Sequence, residues 1–138
     1  MGAFVGDSIG SLLEGQRRHF SEEELENVMS MPGGGQYSGA PGQGTDDTEM
    51  SMCLMHGLIG GHGRLDLTEI TKMYGKWFES NPVDIGHATK SALQYADPKK
   101  PDPKLVMQAA QMHCSKSESN GSLMRISPMA VWTHKLPE

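Results

Sequence analysis

Residues 66–82 read DLTEITKMYGKWFESNP, and this stretch decides the fold class. Leu67, Ile70, Met73, Tyr74, Trp77 and Phe78 recur every three or four residues. That spacing gathers them on one face of an α-helix and does not match the two-residue alternation of a half-buried strand. Asp66 with Glu69 has the spacing of a capping box at the start, and Asn81-Pro82 marks the stop.

The segments on either side follow the same pattern. Val5, Ile9, Leu12 and Leu13 predict a helix over Gly2–Glu14. Gly2, Gly6 and Gly10 recur every four residues along it. Glycine in a helix interior is costly, so this bare stripe predicts the close approach of another group. Ser21 and Glu24 predict a capped helix over Glu22–Met29. Pro32–Gly44 holds eight Gly or Pro in thirteen residues and reads as a loop. A helix over about Asp47–Gly60 follows, with Met50, Leu54 and Leu58 on one side. Asp84 is the expected cap of a helix over Ile85–Ala96, and Asp102-Pro103 opens one through His113. Ser127-Pro128 reads as an N-cap with proline at the first helical position. No segment sustains strand periodicity and no internal repeat is visible. The expected class is all-α, in a single domain over 1–138.

Composition narrows the functional classes. Leu, Ile, Val and Phe together make up only 24 of the 138 residues, and 11 Met supplement them. The core is therefore expected to be thin and methionine-rich, with Met50–Met55 as core filler. With 12 basic against 17 acidic residues, no basic patch points to nucleic acid. No apolar run is long enough for a membrane span. MGAFVGDSIG lacks the basic start of a signal peptide and reaches Asp7 early, and Gly6 does not suit a myristoylation motif. Cys53 and Cys114 have neither disulfide-scaffold nor zinc spacing, which fits a reducing, cytoplasmic setting.

Three polar clusters are candidates for chemistry. Thr45-Asp46-Asp47-Thr48-Glu49 lies where the glycine-rich loop meets a helix. Its plain structural account is dipole complementation with an Asp46–Glu49 capping box; its functional account is a set of hard-oxygen ligands for Mg²⁺ or Ca²⁺. Asp7 and Glu14, seven residues apart, would share one helical face with Gly10 between them, as a solvated face or as a second carboxylate set. Ser117-Glu118-Ser119-Asn120-Gly121-Ser122 is either an ordinary turn or a loop whose backbone N–H groups cradle phosphate oxygens. The glycines at 33–35 lack the Lys-Ser/Thr of a P-loop, and the six His do not pair at metal spacing.

Together these segments resemble the ADP-ribosylglycohydrolase family, above all its dinitrogenase reductase-activating glycohydrolase-like branch. Four blocks carry the likeness in order: GAFVGDSIGSLLEG (2–15), PGQGTDDTEMSMCL (41–54), NPVDIG (81–86) and SNGSLMRISPMAVW (119–132). The resemblance implies an orthogonal multi-helix all-α bundle holding two Mg²⁺ ions, or Mn²⁺ in some members. It assigns Glu14, Thr45, Asp46 and Asp47 as metal ligands, with Glu14, Asp46 and Asp47 catalytic. Asp84 and Gly86 would line the substrate cleft, and Ser117, Ser119, Asn120 and Gly121 would surround the diphosphate of ADP-ribose. The implied reaction removes ADP-ribose from modified protein side chains. Asp84 within Val-Asp-Ile-Gly points to ADP-ribosyl-arginine.

The sequence also departs from the family pattern. Members are longer and carry a late Gly-Asp-x-Asp-Thr block that completes the metal site; residues 1–138 contain none. The resemblance therefore implies an N-terminal portion, apparently truncated, whose partner is a missing C-terminal segment. Three carboxylates offer −3 against the +4 of two Mg²⁺, so metal should be held weakly. The alternatives to an active hydrolase are a catalytically deficient ADP-ribose-binding module or an inactive fragment.

Overall fold

The computed structural model describes residues 1–134; the last four residues of the expected domain lie outside the described residues. Among the described residues there are seven α-helices and no strand. The helices are α1 (Gly2–Gly10), α2 (Glu22–Met29), α3 (Asp46–Gly60), α4 (Leu67–Glu79), α5 (His87–Leu93), α6 (Pro103–Cys114) and α7 (Ser127–His134). The all-α expectation holds. An isolated antiparallel bridge between Gly34 and Gly39 closes the tip of the glycine-rich loop without making a sheet.

The chain forms two compact units, Met1–Thr48 and Glu49–Glu138, with the division falling inside α3. In the first unit, α2 opens as its sequence dictates. The Ser21 side chain accepts from the Glu24 N–H and the Glu24 carboxylate accepts from the Ser21 N–H, a complete capping box. Val28 is the buried apolar residue of α2. α1 is shorter than expected. It ends at Gly10, and residues 11–15 continue as turns, so Glu14 stands beyond the helix and does not share a helical face with Asp7. The glycine stripe also fails as a packing surface: a Cβ at Gly2, Gly6 or Gly10 would meet nothing within 4 Å.

The second unit holds two apolar clusters. Met50, Trp77, Leu93 and Ala96 form one, and Leu54, Leu58 and Ile70 form the other; Tyr74 packs against both. Met50 is completely buried, but Met52 is exposed and Met55 only half-buried, so the expected methionine filler at Met50–Met55 reduces to Met50. The face of α4 that carries Ile70 and Trp77 is inside as its periodicity requires, but Leu67, in the first turn, is exposed. Asp66 caps α4 by accepting from the Thr68 and Glu69 N–H groups. The Glu69 carboxylate instead pairs with Lys72.

Two helix starts are displaced from the sequence reading. α5 begins at His87 with Gly86 as its N-cap, in place of a start at Ile85 capped by Asp84. Ile85 packs against the Met50–Trp77 cluster from the segment before the helix, which leaves the extended cap conformation to Gly86. α7 starts at Ser127 itself, one residue ahead of the expected cap boundary. α5 packs chiefly on α6, and α4 touches both.

Candidate functional site

The first cluster is built around a carboxylate. Asp7 on α1 accepts three hydrogen bonds from the start of α3: Thr45 N–H to Oδ2 at 2.8 Å, Thr48 N–H to Oδ2 at 3.1 Å, and Thr45 Oγ1–H to Oδ1 at 2.7 Å. The orphan amides at the α3 N-terminus are thus capped from another helix. The Glu49 carboxylate accepts from Trp77 Nε1–H at 2.6 Å. Gly44 is required for the approach. A Cβ there would lie 2.5 Å from Thr48 Oγ1 and 2.6 Å from Asp7 Oδ2.

This geometry orients oxygen donors. Thr45 spends its hydroxyl proton on Asp7, which leaves the lone pairs of Oγ1 as its remaining capacity. Asp46 is buried at 8% exposure and Asp47 is half-buried beside it. Thr48 Oγ1 is buried with no hydrogen-bond partner, an orphaned oxygen in the same cluster. In chemistry, these donors fit a hard divalent cation. In number they fall short. Among the described residues no group of three or more His, Cys, Asp or Glu side chains converges at metal-holding distance, and Glu14 is exposed in the turn after α1.

The second cluster is built around a guanidinium. Arg125 donates through Nε to the Gly121 carbonyl and through Nη2 to Thr89 Oγ1 at 2.8 Å. Its Nη1 meets Met50 Sδ at 3.4 Å, and its plane lies 5.6 Å from the Tyr74 ring centroid. Burial pushes the Tyr74 hydroxyl up to about 12, an effect the nearby Arg125 charge opposes. Cys53, on the same side of α3, is pushed up to about 11 by burial and then by the Glu49 carboxylate. Both stay protonated at neutral pH.

A cavity of about 370 Å³ opens beside this cluster, within the usual size range for small-molecule sites. Thr89, Ser117, Ser119, Gly121, Ser122 and Arg125 supply its polar wall. Three of the expected loop residues, Ser117, Ser119 and Gly121, therefore meet at one cavity. Asn120, Asp84 and Gly86 are not among its lining residues. Asn120 instead shapes the turn, its carbonyl accepting from the Leu123 and Met124 N–H groups. The Ser119 N–H is committed to Ser117 Oγ at 3.3 Å, so it is not a spare phosphate donor. Asp84 lies half-buried in the irregular segment before α5, with Gly86 at the helix cap.

Comparison with known proteins decides the family. The ADP-ribosylglycohydrolase family model matches residues 1–138, the whole chain. The chain belongs to the ADP-ribosylglycohydrolase family. It is 31% identical over 136 residues to the ADP-ribosyl-[dinitrogen reductase] glycohydrolase of Rhodospirillum rubrum, covering 96% of this chain and 42% of that protein. It is 35% identical over 101 residues to the ADP-ribosylarginine hydrolase Tri1 of Serratia proteamaculans (strain 568), covering 68% and 26%. A protein of Acanthamoeba polyphaga mimivirus that bears an ADP-ribosyl glycohydrolase name is 35% identical over 130 residues, covering 91% and 38%. The chain thus spans roughly two fifths or less of the length of these ADP-ribosylglycohydrolase relatives.

Within this ADP-ribosylglycohydrolase chain, sequence reading found the ends of both clusters but missed their centres. Asp7 was visible only as a helical carboxylate, and its partners lie 38 and 41 residues away. Arg125 had no local signal at all beyond its place in the Ser-Asn-Gly…Met-Arg block.

Proposed function

We propose that this chain carries the ADP-ribose-binding part of a hydrolase that releases ADP-ribose from modified protein side chains, ADP-ribosyl-arginine first. The observation that carries the reading is the joint presence of two clusters in one family member. One gathers Thr45, Asp46 and Asp47 at the start of α3 beside the Asp7 carboxylate; the other presents a loop of small polar residues on a cavity. The names of the Rhodospirillum and Serratia relatives support an ADP-ribosylated protein, and modified arginine in particular, as the substrate class. Among the described residues no helix is long and apolar enough to cross a membrane. Cys53 and Cys114 are free thiols, which supports a cytoplasmic setting.

Thr45, Asp46 and Asp47 are the residues that would hold Mg²⁺ or Mn²⁺, with Glu14 as a further ligand from the preceding turn. The chemistry a divalent cation supplies there is Lewis acidity toward water or ribose hydroxyls. The chain's own contribution is positional. Asp7 fixes the Thr45 hydroxyl and the first amides of α3, and the 117–122 loop receives the diphosphate, with Asp84 and Gly86 assigned to the same substrate.

Three carboxylates at Glu14, Asp46 and Asp47 offer −3 against the +4 of two Mg²⁺, and among the described residues no group of three or more His, Cys, Asp or Glu converges, so the expectation is weak metal binding and poor turnover by this chain alone. A loss of about 4 kcal/mol in barrier stabilisation already lowers a rate about a thousandfold. The test is release of ADP-ribose from an arginine-modified protein with Mg²⁺, by the chain alone and mixed with the C-terminal half of a relative. Activity that appears only in the mixture supports the reading; full activity from the chain alone overturns the account of the deficient site. Titration with Mn²⁺, followed by water-proton relaxation, should give a signal that joint Asp46→Asn and Asp47→Asn substitution removes. An unchanged signal would eliminate these residues as ligands.

The second reading is a binding module without catalysis, in which the 117–122 loop and its cavity serve without a metal. The two readings part in the mixed assay, where a binding module gains no activity from the added half.

A further inference from the structure

Besides its internal hydrogen bonds, the loop that faces the cavity is held from outside. Its carbonyl at Gly121 is gripped by Arg125, and that guanidinium is anchored in turn to three helices. Thr89 on α5 is buried at 5% exposure and Met50 on α3 is completely buried. Tyr74 on α4 presents its ring to the cation. Gly121 is fitted to the grip, since a Cβ there would stand 3.1 Å from Thr89 Oγ1 and 3.5 Å from Arg125 Nη2.

The consequence follows from peptide geometry. Among the described residues there is no cis peptide bond, so the 121–122 peptide is planar and trans. Its N–H therefore points opposite to its C=O. Arg125 holds the Gly121 carbonyl, so the Ser122 N–H is directed away from the guanidinium, and Ser122 is one of the residues on the cavity wall. A guanidinium suits this task because its planar fork can satisfy a carbonyl and a hydroxyl at once without reorienting.

We infer that Arg125 is a positioning residue for the anion-binding loop, fixing the Gly121–Ser122 peptide so that the Ser122 N–H serves as a donor to a diphosphate oxygen. This rests on the reading of the loop given under Proposed function. Arg125 acts here through the loop, with Thr89 as the second arm of the grip. Lysine cannot replace it, because an ammonium is a point donor and does not hold the carbonyl and the hydroxyl in one plane.

The experiment is calorimetric titration of ADP-ribose into the full chain and into Arg125→Lys, Arg125→Ala and Thr89→Val, with thermal melting of each. Arg125→Lys should weaken ADP-ribose by roughly tenfold or more, the scale of one lost charge-assisted hydrogen bond, while the melting transition stays cooperative. Thr89→Val should weaken it less. Millimolar ethylguanidinium should restore much of the affinity of Arg125→Ala at a temperature where the variant is already fully folded, whereas a purely structural role would show rescue only through the melting temperature. Wild-type affinity in Arg125→Lys would overturn the inference. So would a loss that follows the melting temperature and is not rescued by ethylguanidinium. If the alanine variant does not fold, Arg125→Lys and Thr89→Val decide. A wild-type chain that takes up no ADP-ribose would instead overturn the loop reading itself, and that result is distinct from the other two.

Discussion

The two clusters are organised by hubs of opposite charge. In the N-terminal unit the hub is the Asp7 carboxylate, which collects two amide protons and a hydroxyl proton from the start of α3. In the second unit the hub is the Arg125 guanidinium, which collects a carbonyl and a hydroxyl oxygen. An anionic hub consumes donors, here two amide protons and a hydroxyl proton. A cationic hub consumes acceptors, here a carbonyl and a hydroxyl oxygen. The difference teaches that a single charged side chain can organise each cluster, one by gathering protons and the other by gathering oxygens.

The strongest way to break this comparison is to remove the anionic hub. Asp7→Ala leaves two helix-start amides and the Thr45 hydroxyl without their acceptor. Hydrogen bonds to a charged group contribute about 1.5–3 kcal/mol each and are not additive, so an overall loss of about 3 kcal/mol is expected. Urea denaturation measures it. Asp7→Asn should cost clearly less, because one amide oxygen still accepts.

Gly44→Ala sharpens the same site. The added Cβ meets Thr48 Oγ1 and Asp7 Oδ2 well inside contact distance, and relief requires the α3 start to shift. Overpacking of this kind costs about 1–3 kcal/mol. The matching expectation is a weaker Mn²⁺ relaxation signal; an unaltered signal with full stability would show that the close approach is unnecessary.

Trp77→Phe tests whether the second unit depends on charged hydrogen bonds away from its own hub. The indole donates to Glu49 at 2.6 Å, and phenylalanine removes the donor while keeping most of the packing. About 2 kcal/mol should be lost in denaturant unfolding, with ADP-ribose binding largely retained.

The smallest effect concerns acid. Arg18 donates to Glu24 through Nη2 at 2.7 Å and lowers its carboxyl to about 2, with the Ser21 N–H adding to the shift. A depressed folded value means the contribution is present above the ordinary carboxylate range and is lost as pH falls from about 4.5 toward 2. Both side chains are largely exposed and the pair is screened by solvent, so Glu24→Gln should only slightly flatten stability against pH over that window.

What was legible in the sequence was local. The Ser21–Glu24 box, the Asp66 and Asp102 caps and the Ile70–Trp77 face of α4 all rest on neighbours within a few residues. Local rules also overreached. α1 was extended through Glu14 because Leu12 and Leu13 keep the period, yet the chain turns after Gly10. Asp84 was given a cap that Gly86 takes, since packing of Ile85 sets where α5 starts. The hubs were not legible because their partners are remote in the chain: Asp7 reaches 38 residues forward to Thr45, and Arg125 reaches 75 back to Met50. The family blocks marked these positions without saying what each side chain does there.

The most direct test of the central claim is calorimetric titration of ADP-ribose into the unmodified chain, with and without Mg²⁺. The proposed function predicts saturable binding at one ADP-ribose per chain. A flat titration under both conditions would contradict the account.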